Sequence, residues 1–182
     1  KLLSPAVAQR IDQVVALVKP ELDDVRTLWQ NFGRRQIPTE FSIIPNGIDL
    51  ADFEHLPPAD EFRSRYGLGT VPTVLYMGRL HARKGVDVLV KAFKLADVED
   101  SRLLIVGPDE GMLESIRTLA GDDPRIVITG YLGGDERLQA MSSGDIFVLP
   151  AVGEGLSMAV LEAMGAGLPV ILSPGCNMPD VE

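Results

Sequence analysis

The chain has one cysteine, Cys176, and two histidines, His55 and His81, among 182 residues. A lone thiol excludes an internal disulfide and fits a reducing compartment. His55 falls in a long connecting stretch and His81 in a short loop after a strand, so no metal-ligand spacing is present and no metal is expected. Basic residues are the minority, 17 Lys and Arg against 26 Asp and Glu, a net charge of −9. That balance argues against nucleic acid as a partner, which needs a basic surface. It leaves room for a small anionic ligand held by a few local cations. No apolar run reaches the roughly 18–20 residues of a membrane span. The opening "KLLSPAVAQR" lacks the basic end, apolar stretch and cleavage site of a secretory signal. A cytoplasmic protein is expected, with membrane-surface contact by another part of a larger protein left open. Repeats and low-complexity tracts are also absent. What is present suffices for folding: 46% hydrophobic and 24% charged residues, enough for one domain, or one domain plus a piece of another.

Residues 6–18, "AVAQRIDQVVALV", place Val7, Ile11, Val14, Val15 and Val18 on one helical face, and Pro20 should end that helix. Residues 21–32 read as a second helix with acids in its first turn. From residue 41 the pattern changes. "FSII" (41–44), "TVLYM" (73–77), "RLLIV" (102–106), "RIVIT" (125–129), "DIFVL" (145–149) and "PVILS" (169–173) are short, β-branched and without clean polar alternation. Such runs suit strands buried on both faces. Helical patterns at 86–96, 110–120, 135–143 and about 156–166 separate the later ones. This alternation predicts a Rossmann-like, doubly wound parallel sheet of about six strands in an α/β domain. Residues 50–72, with three prolines, read as a surface connection holding one short helix. Ligands of such sheets bind beyond the carboxyl ends of the strands. The loops that follow Met77, Val106, Thr129, Leu149 and Ser173 are therefore the ones to inspect.

After Met77 comes "GRLHARKG", 78–85. Arg79 and Lys84 can converge on one anion at a helix start, where backbone N–H groups and the helix dipole favour negative charge. The structural alternative is a solvated basic loop. The P-loop pattern is missing. After Val106 comes "GPDEG", 107–111, where Gly107 allows close backbone approach by a ligand, or where the loop is a turn whose acids cap the next helix. After Thr129 comes "GYLGGDE", 130–136, which offers Tyr131 as a flat face to a nucleobase, or merely Asp135 as a helix cap. After Leu149 comes "PAVGEGLSMAVLEAMGAGLPVIL", with no basic residue from Pro150 to the end of the chain. Backbone N–H groups around Gly155, Leu156 and Ser157 can hold phosphate oxygens. Glu154 stands in the loop and Glu162 inside the helix, between Leu161 and Ala163. A carboxylate in apolar surroundings needs a partner, and vicinal hydroxyls of a ribose would serve. The alternative places Glu154 as a cap and Glu162 on a solvated stripe.

Together these segments resemble the C-terminal half of the retaining glycosyltransferases of family 4, which have the GT-B fold. The resemblance rests on "IIPNGIDL" (43–50), "GRLHARKGVDVLVKAF" (78–93), "VGPDEG" (106–111), "GYL" (130–132) and "EGLSMAVLEAMGAGLPVI" (154–171). The last contains the E-x7-E motif. It implies that Arg79 and Lys84 bind the diphosphate of a nucleotide-sugar donor and stabilise the leaving nucleotide, so that no metal is required. It implies that Glu154 contacts the donor sugar, Glu162 the ribose, backbone at Gly155 to Ser157 the phosphate, and backbone near Tyr131 the base. "IIPNGIDL" corresponds to the end of an interdomain linker, with Asn46-Gly47 as its turn. The expected division is 1–40 as a helical segment and linker from the N-terminal half, and 41–182 as the nucleotide-sugar-binding domain, truncated at its C-terminus. The acceptor, a sugar, lipid or small molecule, would belong to the N-terminal half. The chain alone is accordingly expected to bind donor weakly and to transfer no sugar. The other readings are a noncatalytic doubly wound signalling or scaffold domain and a nucleotide-sugar epimerase of similar fold. The signalling reading wants an Asp at a strand's carboxyl end, and Asp145 precedes its strand instead.

Overall fold

The computed structural model describes residues 11–31 and 40–178. Two short strands, β1 (Gln13–Ala16) and β2 (Glu40–Ile43), pair in parallel across the helix α1 (Lys19–Asn31), with Gln13 opposite Glu40 and Ala16 opposite Ile43. Ala16 and Leu22 are buried between the strands and the helix, and the Arg26 guanidinium lies over the Phe41 ring. This corrects the helix expected over 6–18. Val7 lies outside the described residues, and Gln13–Ala16 is a strand whose burial alternates along its length. The valines satisfy a helical spacing, but β-branched side chains suit a strand equally, and the partner that decides between the two lies far along the chain. Pro20 does not end a helix. It sits in the first turn of α1, where its missing N–H costs nothing. Residues 44–49, including Asn46 and Gly47, run on without the expected turn.

The other five strands form one sheet: β3 (Thr73–Met77), β4 (Arg102–Val106), β5 (Ile126–Gly130), β6 (Ile146–Leu149) and β7 (Val170–Leu172). Their order is β5-β4-β3-β6-β7, and every pair is parallel. The expected sheet of about six strands is thus five, because the run at 41–44 pairs with β1 instead. Leu75, Tyr76, Leu103, Leu104, Ile105 and Phe147 on the central strands are inaccessible to solvent, which is what unalternating apolar runs require. Ile171 on the edge strand β7 is exposed.

The helices between the strands are α2 (Asp60–Arg65), α3 (Val86–Ala96), α4 (Leu113–Ala120), α5 (Gly134–Ser142) and α6 (Met158–Gly165). In α3, Val86, Leu89, Val90 and Phe93 recur at helical spacing and are the residues buried on the sheet. The stretch before β3 is more than a surface connection, since Phe53, Phe62 and Leu68 are buried in the core. Arg63 of α2 fastens it, donating to the carbonyls of Gly69 and Ser143 at 2.7 Å and of Val71 at 2.6 Å. Asp145, at the start of β6, accepts from the backbone N–H of Thr73 at 2.7 Å. This carboxylate therefore serves the amino end of the sheet, as its place in the sequence indicated.

From β3 the chain builds outward through β4 to β5, then crosses back to lay β6 on the other side of β3. The strand order reverses between β3 and β6. In doubly wound sheets the usual ligand position is beyond the carboxyl ends of the two strands at such a reversal. The loops at 78–85 and 150–157 follow these two strands.

Candidate functional site

Close packing of glycines brings these loops together. Gly85 has a left-handed backbone (φ 67°), and a Cβ there would overlap the Pro150 carbonyl. A Cβ on Gly107 would overlap the carbonyl of Gly78. The approach that Gly107 visibly permits is therefore between the loops after β3 and β4. Leu80 N–H donates to the Pro108 carbonyl at 2.8 Å, and Glu110 N–H returns a bond to Leu80 at 3.1 Å. The buried Tyr76 hydroxyl donates to the Arg79 carbonyl at 2.9 Å and holds the start of the loop. Burial, and then the nearby Glu154 charge, push this phenol well above its ordinary pKa, so it remains a donor.

Within this frame Lys84 meets Glu154. The Nζ–Oε2 distance is 2.7 Å, and the side chains are only 12% and 19% exposed. Two residues selected from separate stretches of sequence thus stand together at the switch point. Arg79 faces elsewhere. Its Nη1 contacts both carboxylate oxygens of Glu110, at 3.0 and 2.9 Å. The two cations therefore do not share a partner in this structure. Glu162, expected among apolar neighbours, forms an ion pair with Arg137 of α5, with side chains 23% and 30% exposed.

The loop bearing Glu154 is held from the far side. Glu154 N–H donates to the Gly175 carbonyl at 2.9 Å, and Asn177 Nδ2 donates to the Glu154 carbonyl at 2.7 Å. The Cys176 thiol reaches the Leu149 carbonyl at 3.2 Å, and Ser173 Oγ reaches that of Ala151. On the near side the Arg83 guanidinium bonds the Gly153 carbonyl, and Val152 N–H donates to the Arg83 carbonyl at 2.8 Å. Gly155 and Leu156 lead into α6. Ser157 precedes its first residue, is buried, and places no side-chain bond on the first-turn N–H groups. Those donors remain available to an anion. By contrast, Asp109 does cap its helix, accepting from Gly111, Met112 and Leu113. The Leu113 bond in particular lowers its pKa. Tyr131 is exposed on the loop after β5. Asp135 is not the cap of α5, since Gly133 occupies that position and Asp135 lies in the first turn.

Glu110, Arg137, Arg83 and Asn177 were not singled out by sequence reasoning. Glu110 lies in the loop after β4, where the sequence reading gives the acids to a helix cap. Arg137 and Asn177 gave no local signal, because each acts on a residue distant in sequence. Among the described residues, no three His, Cys, Asp or Glu side chains gather as a metal would need. No described helix is long and apolar enough to cross a membrane.

Sheet order, switch point and charged loops define a Rossmann-like domain of the kind that forms one half of the GT-B fold. Comparison with known proteins specifies it further. Residues 71–182 match the family described as Glycosyl transferases group 1, and the chain belongs to that family. It is 34% identical over 137 residues to the sulfoquinovosyl transferase SQD2 of Arabidopsis thaliana, covering 74% of this chain and 26% of that protein. It is also 34% identical over 176 residues to a GDP-mannose-dependent alpha-(1-6)-phosphatidylinositol monomannoside mannosyltransferase of Mycobacterium tuberculosis, covering 86% of this chain and 46% of the relative. The chain therefore spans less than half the length of these relatives. Among solved structures, Anabaena HepE in complex with UDP and glucose superposes with a TM-score of 0.77 at 19% identity, over 95% of this chain and 47% of that one. At that identity the likeness speaks for the fold.

Proposed function

We propose that this domain binds the nucleotide-sugar donor of a glycosyltransferase that transfers the sugar with retention of configuration. The observation that carries the reading is the Lys84–Glu154 pair at the switch point, 2.7 Å apart, beside the uncapped start of α6. A cation, a carboxylate and free helix N–H groups at one switch point match the parts of a sugar diphosphate. The N–H groups of Gly155, Leu156 and Ser157 receive phosphate oxygens. Lys84 and Arg79 neutralise the negative charge that grows on the diphosphate as its bond to the sugar breaks, a task in this reading needing no metal. Glu154 meets hydroxyls of the donor sugar. Glu162 accepts from the ribose hydroxyls, and the loop at Tyr131 faces the base. The acceptor, a sugar, lipid or small molecule, approaches from a second domain, which is also where any membrane-surface contact would lie. A cytoplasmic setting accords with nucleotide-sugar chemistry and a single thiol.

For ligand to bind, Lys84 and Arg79 must exchange their carboxylate partners for phosphate. A charge-assisted hydrogen bond contributes roughly 1.5–3 kcal/mol. Lys84→Ala and Arg79→Ala should therefore each weaken UDP or GDP by about tenfold or more, with little effect on the corresponding nucleosides. Calorimetry measures both. Equal losses for nucleoside and diphosphate would remove the clamp, and failure of any nucleoside diphosphate to bind at millimolar concentration would remove the donor site.

A further inference from the structure

We infer that Arg137 is a positioning residue, fixing the Glu162 side chain by their ion pair so that it can read ribose hydroxyls; this rests on the donor-site reading above. α6, "MAVLEAMG", contains no other charge, and the sequence has no Lys or Arg from Pro150 onward. The carboxylate must therefore take its counter-charge from another element. Arg79 and Lys84 are engaged with Glu110 and Glu154. Arg137 is the cation that reaches Glu162, across from α5 to α6. A guanidinium suits this work because it is always charged. Its contact is to Oε2, and a carboxylate has further lone pairs with which to accept from a hydroxyl. α5 follows directly on the loop that carries Tyr131. Arg137 thus also couples the segment assigned to the base with the side chain assigned to the ribose. Both side chains are partly screened from solvent but not sealed in, as befits a pair that must stay rigid while facing a ligand.

The test compares wild type, Arg137→Met, Arg137→Lys, Glu162→Gln and the double variant Arg137→Met/Glu162→Gln on the full chain. Methionine keeps an apolar stem without the charge. The probes are UDP, GDP and ADP, their 2′,3′-dideoxy forms, and inorganic pyrophosphate, titrated by calorimetry. We expect Arg137→Met to reduce the preference for ribose over dideoxyribose by about threefold or more, as for residues in direct contact. Pyrophosphate affinity should stay unchanged, Arg137→Lys should recover part of the preference, and the double variant should lose no more than Glu162→Gln alone. An unchanged ribose preference, an equal loss for pyrophosphate, or additive losses in the double variant would overturn the assignment. If wild type itself shows no ribose preference, the ribose role of Glu162 falls and this inference falls with it, an outcome distinguishable because it appears before any variant is made.

Discussion

Arg63 and Asp145 at the amino end of the five-stranded sheet differ from Arg79 and Lys84 at its carboxyl end in what they are tied to. At the amino end, ionised side chains are fastened largely to backbone. Arg63 donates to three carbonyls, and Asp145 accepts from Thr73 N–H. Arg125, before β5, contacts both oxygens of Asp123 at 3.0 and 2.8 Å, and the Asp123 carboxylate is tied in turn to the Arg125 backbone N–H. At the carboxyl end, Arg79 and Lys84 each meet a carboxylate on another loop. A backbone carbonyl cannot leave without disturbing the fold, whereas a carboxylate side chain can rotate away and yield its place to a phosphate. The difference separates charges that build the domain from charges that a ligand can recruit, and charge alone does not reveal it.

The comparison breaks if the two ends respond alike to substitution. Arg63→Ala should have the largest effect, because it strands carbonyls that are partly buried. A loss of about 3 kcal/mol is expected from charge-assisted bonds of roughly 1.5–3 kcal/mol. The corresponding fall in melting temperature is roughly 6–12 °C for a chain of this size. Nucleotide affinity of the molecules that remain folded should not change. A drop in affinity with stability intact would place Arg63 among the functional charges.

The next effect appears in acid. The hydrogen bond and charge of Arg125 hold the Asp123 carboxyl down at about 2, from an ordinary 3.8. A depressed carboxyl stabilises the fold above its unfolded pKa, and that contribution is lost as pH falls through the folded value. Denaturant midpoints of wild type should therefore decline between about pH 4 and pH 2. Asp123→Asn should start lower at neutral pH and decline less across the same window. Parallel curves for the two proteins would show that Asp123 does not anchor this end.

The smallest effect belongs to Glu110, which competes with any ligand for Arg79. The pair is largely exposed, so it contributes about 0.2–1 kcal/mol and is screened by salt. Glu110→Gln should tighten pyrophosphate and nucleoside diphosphates by roughly twofold to fivefold at low salt, with the gain fading as salt is added. Titrations at two ionic strengths decide the matter, and weaker binding by Glu110→Gln would make Glu110 part of the binding surface.

Much of this domain could be read before its structure. Strands β2 to β7 and the helices α3 to α6 all lie within a few residues of their expected places, because the strands are short β-branched apolar runs and the helices between them carry their own local pattern. β1 did not. Its four residues satisfy a helical spacing, and only pairing with residues 40–43 makes them a strand. Lys84 and Glu154 were identifiable because glycine-rich loops after apolar strands mark the ligand end of such a sheet. Arg137, Glu110 and Asn177 were not, since their partners lie in other loops and no spacing rule links them.

By itself the sequence determined where the chain turns apolar, where it turns polar, and therefore which short segments become strands with loops between them. Those are local properties, set by side-chain chemistry over a few residues. Tertiary structure alone decided which loops stand together and which carboxylate each cation faces. Those contacts depend on strand order, and the reversal between β3 and β6 places residue 84 against residue 154 through a geometry that no stretch of sequence contains.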